Sequence, residues 1–351
     1  MNSKEQKIAQ FDPNSIGVHS SNVFGLPFTF EESDVIILPV PWDLTTSFGR
    51  GTANAPARVM EASYQVDLYD QDYPSGWKHG FFMLDIPEQL KETNKKLNAK
   101  SREVIRLLEA GESDTSNAVI HKSLELVNDA CEQMREWVFK QAQKLLQYNK
   151  KVVLLGGEHS TPLGLIQALS LKKPGFGILQ IDAHADLREA YEGFTYSHAS
   201  IMHHALKQEG VKKIVQVGIR DICQEEIDAI EASNGRVEVF YDRYLKDSMM
   251  EGRNFASLAE EIIDCLPQEV YVSFDVDGLE PGLCPNTGTP VPGGLSYEQA
   301  EFILRKVVDS GRQIIGADIN EVGDNPWDAN VGARLLYKLC NLQCLSFEEE
   351  A

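Results

Sequence analysis

Two groups of acidic and histidine residues in the 351-residue chain have types and spacings typical of metal sites. Asp182, His184 and Asp186 alternate with alanines, and Asp275 and Asp277 flank a single valine. In an extended chain, residues i, i+2 and i+4 point to the same side, so each group can project into one cavity. The spacing therefore predicts two clusters of side chains that can hold metal ions.

His159 stands in a third motif, Gly-Gly-Glu-His-Ser at 156–160, and completes a set of four carboxylates and two imidazoles. Burying that much negative charge without cations would cost many kcal/mol. Oxygen-rich sites with some imidazole and no thiolate suit Mn²⁺ and tolerate other first-row ions. Four carboxylates exceed the needs of one ion, which favours two ions that share bridging oxygens. The predicted metal ligands are His159, Asp182, His184, Asp186, Asp275 and Asp277.

Each motif follows a short apolar run that predicts a strand. The runs at 152–155, 177–181, 270–274 and 314–317 are continuous rather than alternating, which is typical of strands buried on both faces. Ligands bind beyond the carboxyl ends of strands in open α/β sheets. A lone Asp-x-Asp is usually a loop or a helix cap. Three such motifs at strand ends instead indicate one functional site.

The rest of the chain predicts helices between strands, with two further apolar runs at 35–38 and 214–217. This alternation predicts an α/β protein with a parallel sheet covered by helices on both sides. One helix is expected at 126–148, with Leu126, Ala130, Met134, Trp137, Val138 and Leu145 in one apolar stripe. A second follows a capping box made by Ser296 and Gln299. The charged stretch at 88–117 is interpreted as a surface helical insertion.

Composition limits the partners of the protein. The chain has 53 acidic and 33 basic residues and a formal charge of −20, which argues against nucleic-acid binding. No apolar run approaches the roughly 20 residues of a membrane span, and the polar N-terminus lacks the apolar core of a signal peptide. The six cysteines are scattered and are expected to be reduced. We therefore expect a cytoplasmic protein that binds neither nucleic acid nor membranes.

Taken together, the motifs resemble those of the ureohydrolase superfamily of arginases and agmatinases. The matching stretches are 156–160, 182–186, 273–281 and 286–295, with weaker matches at 41–43, 51–52 and 56–58. The resemblance implies one ureohydrolase-like domain over 1–351, with an N-terminal extension at 1–33 and a helical insertion at about 85–124. It also implies a three-layer α/β/α fold with a mainly parallel central sheet.

The same resemblance implies two Mn²⁺ ions per chain, with Ni²⁺ as the alternative. One ion would be held by His159, Asp182, Asp186 and Asp275, and the other by Asp182, His184, Asp275 and Asp277. Water activated between the ions would attack the trigonal guanidino carbon and release urea and an amine. His198 matches the histidine that moves protons, Glu321 matches the acid that grips the guanidinium, and Thr289 lines the same pocket. Asp186 is expected to be a catalytic residue as well as a metal ligand.

Departures from the family pattern concern the substrate. Glu158 stands where the family usually has Asp, which alters support of the metals. Arg188 favours a carboxylate tail if it faces the pocket, whereas it matters little if it faces solvent or pairs with Glu189 or Glu192. The agmatinase-like loop at 187–198 favours the second case. Trp327 either covers the substrate pocket or only packs against other side chains of the protein.

The leading hypothesis is therefore an agmatinase-like hydrolase of a small guanidino substrate. Arginase, guanidino-acid hydrolase and small-guanidine hydrolase activities are the alternatives within the class. A catalytically inactive regulatory member is a different kind of alternative, which the complete ligand set disfavours. Family resemblance also predicts a homo-oligomer, either a trimer or a hexamer.

Overall fold

A single sheet forms the centre of the protein. The computed structural model describes residues 3–19, 22–113 and 117–348. Its strands are β1 (Val35–Pro39), β2 (Phe81–Met83), β3 (Lys151–Leu155), β4 (Phe176–Ile181), β5 (Val211–Ile219), β6 (Val237–Tyr241), β7 (Glu269–Asp275) and β8 (Gln313–Asn320). They lie side by side in the order β2-β1-β3-β8-β7-β4-β5-β6, and within the described ranges every neighbouring pair is parallel.

Helices cover both faces of this sheet. They are α1 (Ser3–Gln10), α2 (Ala55–Ser63), α3 (Glu88–Glu109), α4 (Ala118–Gln147), α5 (Leu163–Lys172), α6 (Ile201–Leu206), α7 (Gln224–Ala232), α8 (Asp242–Met250), α9 (Phe255–Asp264), α10 (Tyr297–Asp309) and α11 (Pro326–Leu345). Helices α2, α9, α10 and α11 share one apolar core with the sheet, and α3 to α6 share another. The predicted three-layer α/β/α fold is thus confirmed. In the described part of the chain, no helix is long and apolar enough to cross a membrane.

The continuous apolar runs are explained by these two cores. In β1, Val35 and Ile37 pack into one core while Ile36 and Leu38 pack into the other. Successive side chains of a strand point to opposite faces, so a strand covered on both faces needs apolar residues at every position. Polar side chains are consequently concentrated where the strands end, which is where the predicted motifs lie.

Two strands were missed by the sequence analysis. Strand β2 has only three residues, and in β6 exposed and half-buried positions interrupt the buried ones. They form the two edges of the sheet. An edge strand has one neighbour and is less completely covered, so it does not need the continuous apolar run that identified the central strands.

Helix α4 differs from its prediction at its start and in its apolar stripe. It begins after Asn117, whose side chain caps it, and not near residue 126. Leu126 is 39% exposed and Trp137 is half-buried, whereas the neighbouring Val127 is fully buried. Helix α4 packs against both α3 and the sheet. Its buried face includes Val127, and Leu126 lies outside that face. The predicted capping box of Ser296 and Gln299 at α10 is confirmed.

Helix α3 falls in the charged stretch interpreted as a surface insertion. Its outer face is exposed, but its inner face is buried and packs against α4. Asn94 exchanges two hydrogen bonds with Asp43, at 2.9 and 2.8 Å, and Ser101 donates to the carbonyl of Leu44. The helix therefore supports the segment that follows β1. That the stretch is an insertion relative to the family stays a prediction.

Candidate metal centre

Four neighbouring strands bring the predicted metal ligands and Glu321 to one edge of the sheet. Strands β3, β8, β7 and β4 are consecutive in the sheet and end on the same side. His159 follows β3, Asp182 follows β4, Asp275 ends β7 and Glu321 follows β8. Among the six predicted ligands, His184 is half-buried and the others are buried. The structure thus brings all six together.

The first group of ligands surrounds the Nδ1 atom of His159. This nitrogen lies 3.0 Å from Asp182 Oδ2, 2.9 Å from Asp186 Oδ2 and 3.5 Å from Asp275 Oδ2. In spite of these distances, Nδ1 has no hydrogen-bond partner of acceptable geometry among the described residues. A buried nitrogen left without a hydrogen bond amid three carboxylate oxygens fits a cation that all of them ligate.

The second group surrounds the Nδ1 atom of His184. It lies 3.0 Å from Asp277 Oδ2 and 3.6 Å from Asp182 Oδ1. Ligand atoms of Asp182, His184 and Asp277 lie within 4.8 Å of one another, as do those of His159, Asp182 and Asp186. Asp182 belongs to both groups and uses a different oxygen in each. The donor set therefore fits two neighbouring cations that share a carboxylate.

Backbone N–H groups orient the aspartates. Asp182 Oδ1 accepts from the backbone of His184 at 2.7 Å, and Asp275 Oδ1 accepts from that of Asp277 at 2.8 Å. Asp277 Oδ1 accepts from the backbone of Ala183 at 3.0 Å. Each hydrogen bond fixes one oxygen of its carboxylate. For Asp275 and Asp277, the other oxygen, Oδ2, faces the histidine of its group.

A serine and an aspartate behind His159 set its tautomer. The Nε2 atom of His159 lies 2.9 Å from Ser273 Oγ, which donates to Asp318 Oδ1 at 3.1 Å. Asn320 also donates to this oxygen, at 2.5 Å. Because the serine proton goes to Asp318, the serine oxygen must accept from Nε2–H. The lone pair of His159 is then on Nδ1, facing the carboxylates, as a metal ligand requires.

Two buried glutamines support the Asp-x-His-x-Asp segment, and the sequence analysis missed both. Gln180 Nε2 donates to Asp182 Oδ2 at 2.8 Å and to the carbonyl of His184 at 3.1 Å. Gln216 Nε2 donates to Gln180 Oε1 and to the carbonyl of Ala185, both at 2.6 Å. A polar amide inside each of two apolar strand runs was the signal that could have found them, because a buried amide needs partners.

Burial and neighbouring charges shift the pKa values of the clustered side chains. Burial, with the charge of Asp182, raises the pKa of Asp186 to about 8. Burial and the charge of Asp277 raise the pKa of Asp275 well above its usual range. Burial alone would lower the pKa of His159, but Asp182 and Asp186 together raise it well above its usual value. Burial thus opposes ionisation of Asp186 and Asp275, and a bound cation would favour it.

A cavity of about 370 Å³ opens onto this cluster. Its wall includes the metal-ligand candidates His184 and Asp186, and also His198, Arg188 and Thr289. Burial, and then the charges of His184 and His159, lower the pKa of His198 to about 3. The ring of His198 is therefore uncharged in neutral solution. The Thr289 hydroxyl donates to Asp277 Oδ2 at 3.3 Å.

Glu321 lies beside the cluster with one oxygen free. Its side chain is buried, and Oε1 accepts from the backbone of His159 at 3.0 Å. Oε2 is buried without a hydrogen-bond partner in the described ranges. A Cβ atom at Gly288 would approach Oε2 to 2.7 Å, so the absence of a side chain there keeps space beside the carboxylate. Glu321 also has a left-handed backbone, with φ of 62°, a strained conformation typical of functional sites.

Arg188 and Trp327 differ in their relation to the cavity. The guanidinium of Arg188 lies 4.8 Å from the ring centroid of Tyr191, and both side chains line the cavity. Over the residues that the structure describes, Arg188 forms no ion pair with Glu189 or Glu192. The contact with the aromatic ring places Arg188 on the cavity wall, and its effect on the substrate tail stays a prediction. Trp327 is half-exposed, donates to the carbonyl of Gly282 at 3.1 Å and does not line the cavity.

Comparisons with known proteins agree with this geometry. The model of a family described as the arginase family matches residues 33–341. The N(1)-aminopropylagmatine ureohydrolase of Synechocystis sp. is 30% identical over 318 residues, which cover 89% of each chain. The agmatinase of Bacillus cereus is 28% identical over 84% of this chain and 85% of that protein.

Solved structures share the fold. The agmatine ureohydrolase of Thermoplasma volcanium superposes with a TM-score of 0.69 at 21% identity, over 99% of this chain and 100% of that one. An arginase from Bacillus subtilis gives a TM-score of 0.62 at 20% identity, over 88% and 98% of the two chains. At these identities the likeness establishes the three-layer fold alone.

The shared position of Asp182 leads to a prediction about metal content. Asp182→Ala removes a ligand from both groups, so we expect the protein to lose both ions. Asp277→Ala leaves the group around His159 intact, so we expect one ion to remain. Metal analysis after dialysis against a weak chelator measures both, with circular dichroism as a control for folding. An Asp182→Ala protein that retains two ions per chain would refute the shared site.

Proposed function

The chain belongs to the arginase family, and from this premise we propose that it hydrolyses the guanidino group of a small amine, releasing urea. The observation that carries the proposal is the free Oε2 atom of Glu321, buried beside the ligand cluster. A buried carboxylate oxygen without a partner needs a donor. A guanidinium supplies N–H donors and a positive charge at once.

Two divalent ions fit the residues present, and we propose that they are Mn²⁺. His159, Asp182, Asp186 and Asp275 would hold one, and Asp182, His184, Asp275 and Asp277 the other. When bound, such ions supply a water molecule of lowered pKa and stabilise developing negative charge. The carboxylates and imidazoles found here are the ligand types that Mn²⁺ accepts.

The protein's own residues orient the substrate and move the proton. Glu321 would hold the planar guanidinium so that its carbon faces the ligand cluster. His198 lines the cavity, and we propose that its ring relays a proton from the attacking water to the departing amine. The hydrogen bond from Thr289 to Asp277 holds Thr289 in place on the cavity wall.

An amine is the tail that we propose for the substrate. The named relatives act on agmatine or its N(1)-aminopropyl derivative, by the names they carry. Asp221 lines the cavity, and its side chain is 70% exposed, which suits an ammonium group. A guanidino acid is the second candidate, because Arg188 also lines the cavity. The proposal that the protein is a trimer or hexamer rests on family resemblance alone.

Urea release tests the proposed function directly. We expect Mn²⁺-loaded protein to release urea from agmatine or N(1)-aminopropylagmatine faster than from arginine, guanidinobutyrate or guanidine. Glu321→Gln keeps the shape of the side chain and removes its charge. A charged hydrogen bond contributes about 1.5–3 kcal/mol, so kcat/KM should fall roughly 10- to 100-fold. Release of urea from none of these compounds, or an unchanged rate in Glu321→Gln, would contradict the proposal.

Arg188 distinguishes the two kinds of tail. If the tail is an amine, Arg188→Ala should leave kcat/KM for agmatine unchanged or raise it by a few-fold, because a repelling charge of about 1 kcal/mol is removed. Glu189→Ala, an exposed neighbour that does not line the cavity, serves as the matched control. Both variants are assayed on agmatine and guanidinobutyrate side by side. A wild-type preference for guanidinobutyrate that Arg188→Ala abolishes would transfer the proposal to guanidino acids.

A further inference from the structure

Glu158 connects two segments beside the cluster of metal-ligand candidates. It is fully buried and accepts four hydrogen bonds. Two come from Thr45, through its backbone N–H at 2.7 Å and its hydroxyl at 2.8 Å. The others come from the hydroxyls of Thr46, at 3.2 Å, and Ser160, at 2.7 Å. Glu158 thus ties the end of β3 to the segment that follows β1.

Thr45, which is held by Glu158, also contacts His198. Its Oγ1 atom accepts from the backbone N–H of His198 at 3.0 Å and lies 3.4 Å from His198 Nδ1. A hydroxyl has one proton, and that of Thr45 is donated to Glu158. Towards Nδ1 the Thr45 oxygen can therefore only accept. Ser197 Oγ, 3.2 Å from the same nitrogen, is also able to accept.

The other ring nitrogen of His198 faces the catalytic cavity. Ser47 Oγ lies 3.5 Å from Nε2, and both residues line the cavity. A proton on Nδ1 leaves the lone pair of the neutral ring on Nε2, where it can accept a proton from a group in the cavity. The opposite tautomer would place the lone pair against the Thr45 oxygen, which has no proton left to donate, and among the described residues only the Ser197 hydroxyl could donate to it.

We propose that Glu158 is a positioning residue that acts through Thr45 to hold His198 in the Nδ1-protonated tautomer. The inference rests on the proposed function, in which His198 carries the proton. It also gives a reason for glutamate where the family usually has aspartate. The longer side chain reaches Thr45, Thr46 and Ser160 at the same time, so Glu158 supports the proton carrier and not the metals.

Thr45→Val is the decisive variant, because valine keeps the shape of threonine and removes the hydroxyl. We expect kcat to fall roughly tenfold or more, but less than the ~10²–10⁴-fold of His198→Ala. KM and metal content should stay within about twofold. The matched control is Thr52→Val. Thr52 is also buried in the segment after β1, and its hydroxyl has no hydrogen-bond partner among the described residues. This control should retain wild-type kcat.

A double variant separates positioning from a general structural role. If Thr45 acts through His198, then Thr45→Val should cost nothing further in a His198→Ala background. Glu158→Gln should likewise lower kcat in the wild type and have no further effect in that background, with metal content as its control. Additive losses in the double variants would overturn the proposal.

Nitrogen NMR of the ring tests the tautomer without any measurement of urea. The protein is labelled with ¹⁵N-histidine and loaded with diamagnetic Zn²⁺, and His198→Ala assigns the signals among the eight histidines. We expect a proton on Nδ1 of His198 in the wild type and a mixture of tautomers in Thr45→Val. An Nε2-protonated wild type overturns the inference. An Nδ1-protonated ring in a protein that releases no urea supports the inference and contradicts the proposed function.

Discussion

The structure depends on one electrostatic constraint, which is the burial of four aspartates around two imidazoles. Water cannot solvate these carboxylates, and each buried charge would cost several kcal/mol without compensation. The histidines offset only part of this charge, and Asp186 and Asp275 have raised pKa values as a result. Two divalent cations bound by these residues would offset this charge and supply the chemistry of the proposed reaction. The same ions would then contribute to both stability and function.

The parallel sheet makes this crowding possible. Four consecutive strands end on one side, so residues far apart in the chain meet without long loops. Neutral groups make most of the hydrogen bonds that orient the aspartates and His159. Backbone N–H groups hold one oxygen of each of three aspartates, the amide of Gln180 holds Asp182, and the hydroxyl of Ser273 orients His159. Neutral donors fix a carboxylate without competing with a cation for its charge.

Much of this could be predicted from the sequence because the signals are local. Continuous apolar runs identified the central strands, and the spacing of Asp182, His184 and Asp186 identified one side of the cavity. What could not be predicted depends on contacts between distant segments. Glu158 and Thr45, which share hydrogen bonds, are 113 residues apart in the sequence. Asn94 of helix α3 and its partner Asp43 are 51 residues apart. No periodicity encodes such contacts.

The most direct test of this account is X-ray diffraction from crystals grown with Mn²⁺, measured so that anomalous scattering locates the ions. Two peaks should appear per chain. One should contact His159 Nδ1 together with Asp186, the other His184 Nδ1 together with Asp277, and Asp182 should contact both. A single peak, or peaks away from these side chains with the aspartates unchanged, would contradict the central claim that the buried carboxylates exist to hold two cations.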